Sequence, residues 1–106
     1  MDIRGNRFGA GILVKVLITD GNERAALAVT RALGGEQVEV IVGAESQRSL
    51  AGSSRYCRES IAYPSPYQEP ERFIATLMEA VRTHRVDALI PLSDIAMHVL
   101  GPEKAQ

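Results

Sequence analysis

The fold of this chain is decided by one stretch, residues 16–34, which reads VLITDGNERAALAVTRALG. The stretch begins inside an apolar run, residues 13–18, that only Lys15 interrupts. Such a run, rich in β-branched residues, is typical of a strand that is buried on both faces of a parallel sheet. Residues 19–22 favour a turn and a helix cap, and the Gly34–Gly35 pair favours a helix end. The stretch therefore predicts a strand, a turn and a helix.

The helix is rich in alanine, which has the highest helix propensity. Helical spacing of apolar residues predicts that its buried face consists of Ala25, Val29, Ala32 and Leu33. A second β-branched run, residues 38–42, follows after a few residues and predicts a second strand. For a strand, helix, strand unit we expect a right-handed parallel crossover.

The rest of the chain continues this alternation. Residues 43–54 predict a Gly- and Ser-rich loop with one helical turn, and the half-polar residues 56–63 predict a short strand at a sheet edge. Pro70 favours the start of a helix whose apolar stripe is Phe73, Ile74, Leu77, Met78 and Val81. Residues 87–90 predict a fourth strand, in which residues 88–90 are expected to be fully buried. Ser93 is predicted to cap a last helix, which Gly101 and Pro102 either end or interrupt.

Four strands that alternate with helices predict an α/β domain with three layers, in which helices cover both faces of a parallel sheet. We expect a half-Rossmann arrangement with strand order 3-2-1-4. Residues 1–11 are interpreted as a flexible leader and residues 12–106 as one domain. The predicted core comprises Val16, Ile18, Val29, Leu33, Val40, Val42, Leu77, Val81, Leu89 and Ile90.

Composition excludes several classes of partner. The chain has 106 residues, with 12 Lys plus Arg against 13 Asp plus Glu and a net charge of −1. A nearly neutral domain has no general field for phosphate backbones or anionic lipids, so we expect neither a nucleic-acid nor a membrane partner. Cys57 is the single cysteine and cannot form an internal disulfide, which favours a reducing, cytoplasmic location.

In open parallel sheets, ligands bind beyond the carboxyl ends of the strands, which directs attention to residues 20–23, 43–46 and 92–94. The first of these loops lacks the glycine pattern of dinucleotide-binding domains, and Asp20 and Glu23 would repel a pyrophosphate. A phosphoacceptor receiver domain is also excluded, because it needs clustered carboxylates for Mg²⁺. Here the third strand ends in Tyr63 and Pro64.

Other reactive residue types lack partners in the sequence. His84 and His98 have no cysteine or carboxylate at metal-ligand spacing, so no metal site is expected. Cys57 is interpreted as a buried or incidental thiol. Arg55 can form two hydrogen bonds with a carboxylate, and Tyr56 can anchor its loop. This pair is therefore either a structural clamp or a substrate clamp.

Taken together, four motifs carry a family resemblance: residues 16–34, SLAGSSRY at 49–56, YPSPYQEPERF at 63–73 and VDALIPLSD at 86–94. In this order and spacing they resemble the N-terminal, pre-ATP-grasp domain of ATP-grasp carboxylate–amine ligases. Carbamoyl-phosphate-synthase-like proteins share that domain. The resemblance covers about residues 14–100, which is almost the whole predicted domain.

The resemblance implies a domain that packs against two further ATP-grasp lobes of the same chain, which hold ATP and Mg²⁺ between them. In that family an acylphosphate forms on a carboxylate, and an amine or similar nucleophile attacks it. The rim of the N-terminal domain would contribute to the substrate pocket, with Asp20, Gly21, Asn22, Ser93 and Asp94 as substrate-binding residues. We expect this domain, cut from a longer chain, to carry no catalytic, cofactor-binding or metal-binding residue and to be inactive alone.

Two other functions remain open from the sequence. The first is a stand-alone Rossmann-like module that binds a small molecule or a protein at the strand rim. The second is a structural domain that pairs with its neighbour or with a second copy. In the last helix, Met97 lies away from the stripe of Ile95 and Val99, so a symmetric homodimer through this helix is expected.

Overall fold

The computed structural model describes residues 14–35 and 37–105. The interpretation of residues 1–11 as a leader lies outside the described residues, as does the start of the first apolar run. The strands are β1 Val14–Ile18, β2 Val38–Ala44, β3 Cys57–Ala62 and β4 Ala88–Ile90. The helices are α1 Arg24–Gly34, α2 Pro70–His84 and α3 Asp94–Ala105, with a short 3₁₀ helix at Ala51–Ser53.

The four strands form one all-parallel sheet in the order β3-β2-β1-β4, as the sequence predicts. β1 is central and pairs with strands on both sides. Its Val16 lies opposite Val40 of β2 and opposite Ala88 of β4. Since all four strands run in the same direction, their carboxyl ends meet at one rim of the sheet.

Helices cover both faces of this sheet, which gives the three layers of a half-Rossmann-like fold. Along β1, side chains alternate between the two faces, as the pleat requires. Leu17 packs in one core cluster with Ile41, Tyr63, Phe73, Leu77, Ala80, Ala96 and Leu100, on the side of α2 and α3. Val16 and Ile18 pack in the other cluster with Ala26, Val40, Val42 and Ala51, on the side of α1 and the 3₁₀ helix.

The predicted buried face of α1 is wrong in part. Ala25 and Ala32 are exposed, whereas Ala26 and Thr30 are fully buried against the sheet. Thr30 tolerates this position because its hydroxyl donates a hydrogen bond to the carbonyl oxygen of Ala26 at 2.7 Å. The spacing of large apolar residues therefore did not predict this buried face, which is formed by a small residue, Ala26, and by Thr30, whose hydroxyl is hydrogen-bonded within the helix.

The prediction of a fully buried fourth strand is also wrong. Ala88 is exposed, and Leu89 and Ile90 are half-buried, because β4 has three residues and lies at the edge of the sheet. Half-burial also applies to three further members of the predicted core: Val29, Leu33 and Val81. The other members are buried as predicted: Val16, Ile18, Val40, Val42 and Leu77.

The start and the interruption of α3 follow from two local residues. The Ser93 hydroxyl accepts a hydrogen bond from the Ala96 backbone N–H at 3.1 Å, which confirms the predicted cap. Gly101 has a φ of 73° and a ψ of 160°, so it breaks the helical path and leaves a kink. Met97 is 49% exposed, in keeping with its position off the apolar stripe.

Within residues 14–35 and 37–105, no helix combines the length and the apolar character that a membrane crossing requires.

Candidate functional site

The turn after β1 is held in an unusual backbone conformation. Asp20 has a φ of 61°, in the left-handed region that Asp and Asn tolerate better than most residues. Its backbone N–H donates to the Tyr63 hydroxyl at 2.8 Å, and its carboxylate accepts a hydrogen bond from Thr19 Oγ1. These bonds join the end of β1 to the residue that directly follows β3.

The next two residues of the turn connect it to β2 and to the 3₁₀ helix. The Gly21 N–H donates to the Gly43 carbonyl at 3.0 Å, and the Gly21 carbonyl accepts from the Ala51 N–H at 2.8 Å. Asn22 Oδ1 accepts from the Leu50 N–H at 3.1 Å. The predicted cap function of this segment is therefore wrong: α1 is preceded by Glu23, which makes no side-chain cap bond.

Gly21 is required by space. A Cβ atom at this position would lie 2.6 Å from Ser49 Oγ and 2.6 Å from Val42 Cγ1. Both distances are far below van der Waals contact, so any larger residue would push the turn away from the loop that precedes the 3₁₀ helix. The absence of a side chain thus keeps three segments together at the rim.

A cleft of about 260 Å³ opens at this rim, beyond the carboxyl ends of the strands. Its lining comprises residues 20–23 together with Ala44, Glu45 and Tyr63. Asp20, Glu23 and Glu45 give it three carboxylates, and Asn22 adds an amide. The electrostatic character of the cleft is acidic.

Tyr63 supplies a neutral hydroxyl to this acidic cleft. The side chain is 5% exposed, and its ring packs edge-on against Phe73 with the ring centroids 4.8 Å apart. Burial raises the pKa of Tyr63 well above its usual value; the Asp20 N–H bond opposes this, and the charges of Asp20 and Glu45 add to it. Among the described residues its proton has no acceptor, so the hydroxyl can donate to a ligand.

The raised pKa of Tyr63 gives a testable pH dependence. Above a pH of about 10 the unfolded chain releases the phenol proton and the folded chain keeps it, so stability falls by up to about 1.4 kcal/mol per pH unit. In Tyr63→Phe the Asp20 N–H loses its acceptor, which costs about 1–3 kcal/mol at neutral pH. We expect the difference in the free energy of unfolding between the wild-type chain and Tyr63→Phe to become smaller as the pH rises above 10. Urea unfolding at a series of pH values measures it, and parallel profiles would contradict the assignment.

The five sequence-predicted substrate residues do not all reach this cleft. Asp20, Gly21 and Asn22 line it. Ser93 and Asp94 lie in the neighbouring segment after β4, which is attached to the rim because the Leu92 N–H donates to Thr19 Oγ1 at 2.9 Å. There the Ser93 hydroxyl is engaged in capping α3.

The sequence predicted that Glu45 lies at the rim, within residues 43–46, but gave it no substrate-binding role, and Tyr63 was not predicted to lie at the rim. In the structure Glu45 directly follows β2 and Tyr63 directly follows β3, and the carboxyl ends of parallel strands share a rim. Tyr63 was assigned only to the apolar pattern of the edge strand. The ring of Tyr63 packs in the core against Phe73, whereas its hydroxyl lies at the rim and accepts a hydrogen bond from Asp20.

The other reactive side chains stay apart from the cleft. Cys57 is half-buried, and its thiol donates to the Glu59 carbonyl at 3.2 Å. In the part of the chain that the structure describes, no three His, Cys, Asp or Glu side chains are grouped so that they could hold a metal ion.

Comparison of the chain with protein-family models and with curated protein sequences found no match.

Proposed function

We propose that this chain is the N-terminal, pre-ATP-grasp domain of an ATP-grasp ligase that joins a carboxylate to an amine or similar nucleophile through an acylphosphate. Alone, the domain is inactive. The observation that carries the proposal is the acidic cleft at the carboxyl ends of a four-stranded 3-2-1-4 sheet. We locate the protein in the reducing cytoplasm, because its single cysteine forms no internal disulfide.

The charge of the cleft favours the amine among the substrates of such a ligase. Asp20, Glu23 and Glu45 attract a primary ammonium group, and they repel the carboxylate and the phosphates. The Tyr63 hydroxyl adds a donor for an oxygen atom close to that ammonium. The cleft therefore suits a small amine that carries a carbonyl or hydroxyl oxygen.

The cleft at the rim does not fit ATP or Mg²⁺. The cleft is acidic, Lys15 lies within β1, and no metal-ligand cluster occurs in the described ranges. Phosphoryl transfer needs cationic contacts to the phosphates and carboxylates for the metal. In the proposed parent protein the two ATP-grasp lobes hold the nucleotide, as the resemblance implies, and this domain supplies part of the pocket wall.

Titration of the ¹⁵N-labelled chain with glycinamide tests the cleft. Glycinamide carries an ammonium group and a neutral carbonyl, and we expect it to shift the amide signals of residues 20–23, Glu45 and Tyr63. Glu45→Gln should weaken this binding about two- to fivefold, as loss of an exposed charge pair does. Glu59→Gln, an exposed acid on β3, is the matched control and should leave it unchanged.

The cleft assignment fails if glycinamide shifts no signal in these residues. It also fails if Glu45→Gln and Glu59→Gln weaken binding equally, because the effect would then follow from net charge.

Calorimetry with MgATP provides the complementary prediction. We expect no binding in the low micromolar range, since the cleft at the rim has no cationic side chain to contact phosphates and the chain has no P-loop motif. Tight MgATP binding that is lost in Asp20→Asn would show that the rim is a nucleotide site and would overturn the proposal.

The second candidate function is a stand-alone module that binds a small molecule at the rim. Its support is the position of the cleft, since ligands of open parallel sheets bind beyond the carboxyl ends of the strands. The coding sequence downstream of Gln106 separates the two candidates. Continuation into glycine-rich loops, spaced lysines and paired carboxylates supports the ligase, whereas a stop codon supports the module.

A further inference from the structure

A second concave surface follows the outer side of α1 and has no lining residue in common with the rim cleft. It consists of two adjoining cavities of about 600 and 320 Å³, both lined by Leu27, Arg31 and Leu50. We call this surface the α1 groove, defined by Arg24, Leu27, Arg31, Leu50, Arg55 and Tyr56. Its charge is opposite to that of the rim cleft.

Three exposed arginines border the α1 groove: Arg24, Arg31 and Arg55. Within the described residues none of them forms an ion pair, whereas Arg72 and Arg82 of α2 each pair with a glutamate at 2.7 Å. The whole chain has a net charge of −1, so this concentration of positive charge is a local property of the groove. It is complementary to an anionic partner.

The floor and one end of the groove are apolar and held in place. Leu50 is 43% exposed between the arginines. Tyr56 packs so tightly against α1 that a Cβ on Gly34 would lie 2.6 Å from the Tyr56 Cβ. The Arg55 guanidinium lies 5.0 Å from the centre of the Tyr56 ring and donates to its hydroxyl at 3.0 Å. A guanidinium that is already oriented loses less freedom when it binds.

The spacing of the charges indicates an extended chain. Arg24 and Arg31 are two helical turns apart, on one face of α1, and so about 10 Å apart along the axis. An extended peptide covers that distance in about three residues. Arg and Tyr are also the residue types that contribute most to protein interfaces.

We propose that the α1 groove binds an extended acidic peptide segment of a partner protein. Its carboxylates contact the three arginines, and an apolar side chain between them contacts Leu27 and Leu50. Arg55 lies over the Tyr56 ring, and Gly34 packs against Cβ, Cγ and Cδ1 of Tyr56, which reduces the ring surface available for stacking bases. This surface is independent of the rim cleft, and the two tests use different ligands and different variants.

The test uses the ¹⁵N-labelled chain and the blocked peptide Asp-Leu-Asp-Glu-Leu-Asp at low salt. We expect shifts of the amide signals of Leu27, Arg31 and residues 53–56. Arg31→Gln should weaken binding about five- to tenfold, since hydrogen bonds between charged groups are among the stronger ones, and Leu50→Ser should weaken it about threefold. Arg72→Gln removes the same charge from α2 and should leave binding unchanged.

The proposal is overturned if the peptide shifts no amide signal in the groove, or if Arg72→Gln weakens peptide binding as much as Arg31→Gln does. It is also overturned if a peptide with Asn and Gln in place of Asp and Glu binds equally well, or if oligouridine or phosphatidylserine vesicles bind more tightly at the same residues. Because Arg31 and Leu50 are exposed, both variants should fold. Their amide spectra, recorded without peptide, verify this.

Discussion

Replacing Phe73 with alanine is expected to lower the free energy of unfolding by about 3–5 kcal/mol. Phe73 is completely buried in the core cluster between the sheet, α2 and α3. Truncation removes the apolar contacts of the ring and leaves a cavity that the surrounding strands and helices cannot fill. The ring also forms the edge-on contact with Tyr63, so this variant should disturb the hydroxyl in the rim cleft.

Urea unfolding followed by circular dichroism measures this loss, and Leu89→Ala provides the comparison. Leu89 lies on the edge strand β4 and is half-buried, so we expect a smaller cost of about 1–2 kcal/mol. Equal destabilisation by Leu89→Ala and Phe73→Ala would contradict a main core centred on Phe73, away from β4.

The second large effect is expected at the end of α1, where replacement of two adjacent glycines by alanine should have different effects on stability. At Gly34 the new Cβ would lie 2.6 Å from the Tyr56 Cβ, and this overlap costs about 1–3 kcal/mol. The gain in helix propensity is at most about 1 kcal/mol, so Gly34→Ala should destabilise the protein. The same displacement of Tyr56 should weaken peptide binding in the α1 groove.

Gly35 is the matched control. Its φ is −75°, and the nearest atom to a new Cβ is the Arg31 carbonyl oxygen at 3.4 Å. Alanine fits this conformation and restricts the unfolded chain, so Gly35→Ala should be neutral or stabilising by up to about 1 kcal/mol. Thermal unfolding of both variants compares them directly. A higher melting temperature for Gly34→Ala would show that Tyr56 does not pack against α1.

The strand order could be predicted because the sequence distinguishes central from edge strands. Residues 16–18 and 40–42 are uninterrupted apolar runs, and they form the two central strands. Residues 57–62 alternate weakly between polar and apolar, and they form an edge strand. The signals for the starts of two helices were also correct, since Pro70 is the first residue of α2 and Ser93 caps α3.

The rest depended on contacts between segments that are distant in the chain. Asn22 is a residue type that often caps helices, but its side-chain oxygen accepts a hydrogen bond from the Leu50 N–H, and this bond competes with capping. Residues 88–90 are as apolar as a central strand, but among the described residues no strand pairs on their outer side, and Ala88 is exposed. From sequence alone Tyr63 could be assigned only to the apolar pattern of its strand, because the hydrogen bond from Asp20 to its hydroxyl joins residues that are distant in the chain.

The central position of β1 also has a consequence for the folding pathway. The unit formed by β1, α1 and β2 can assemble from neighbouring residues, whereas the bond from Leu92 to Thr19 closes a loop of 73 residues. We therefore expect β4 to pair with β1 last, together with the packing of α3 on the sheet, and both elements to detach first in partial opening events. Until they join, the outer edge of β1 offers unpaired backbone groups beside apolar side chains. That transient edge is the segment of this protein most exposed to intermolecular strand pairing while the chain folds.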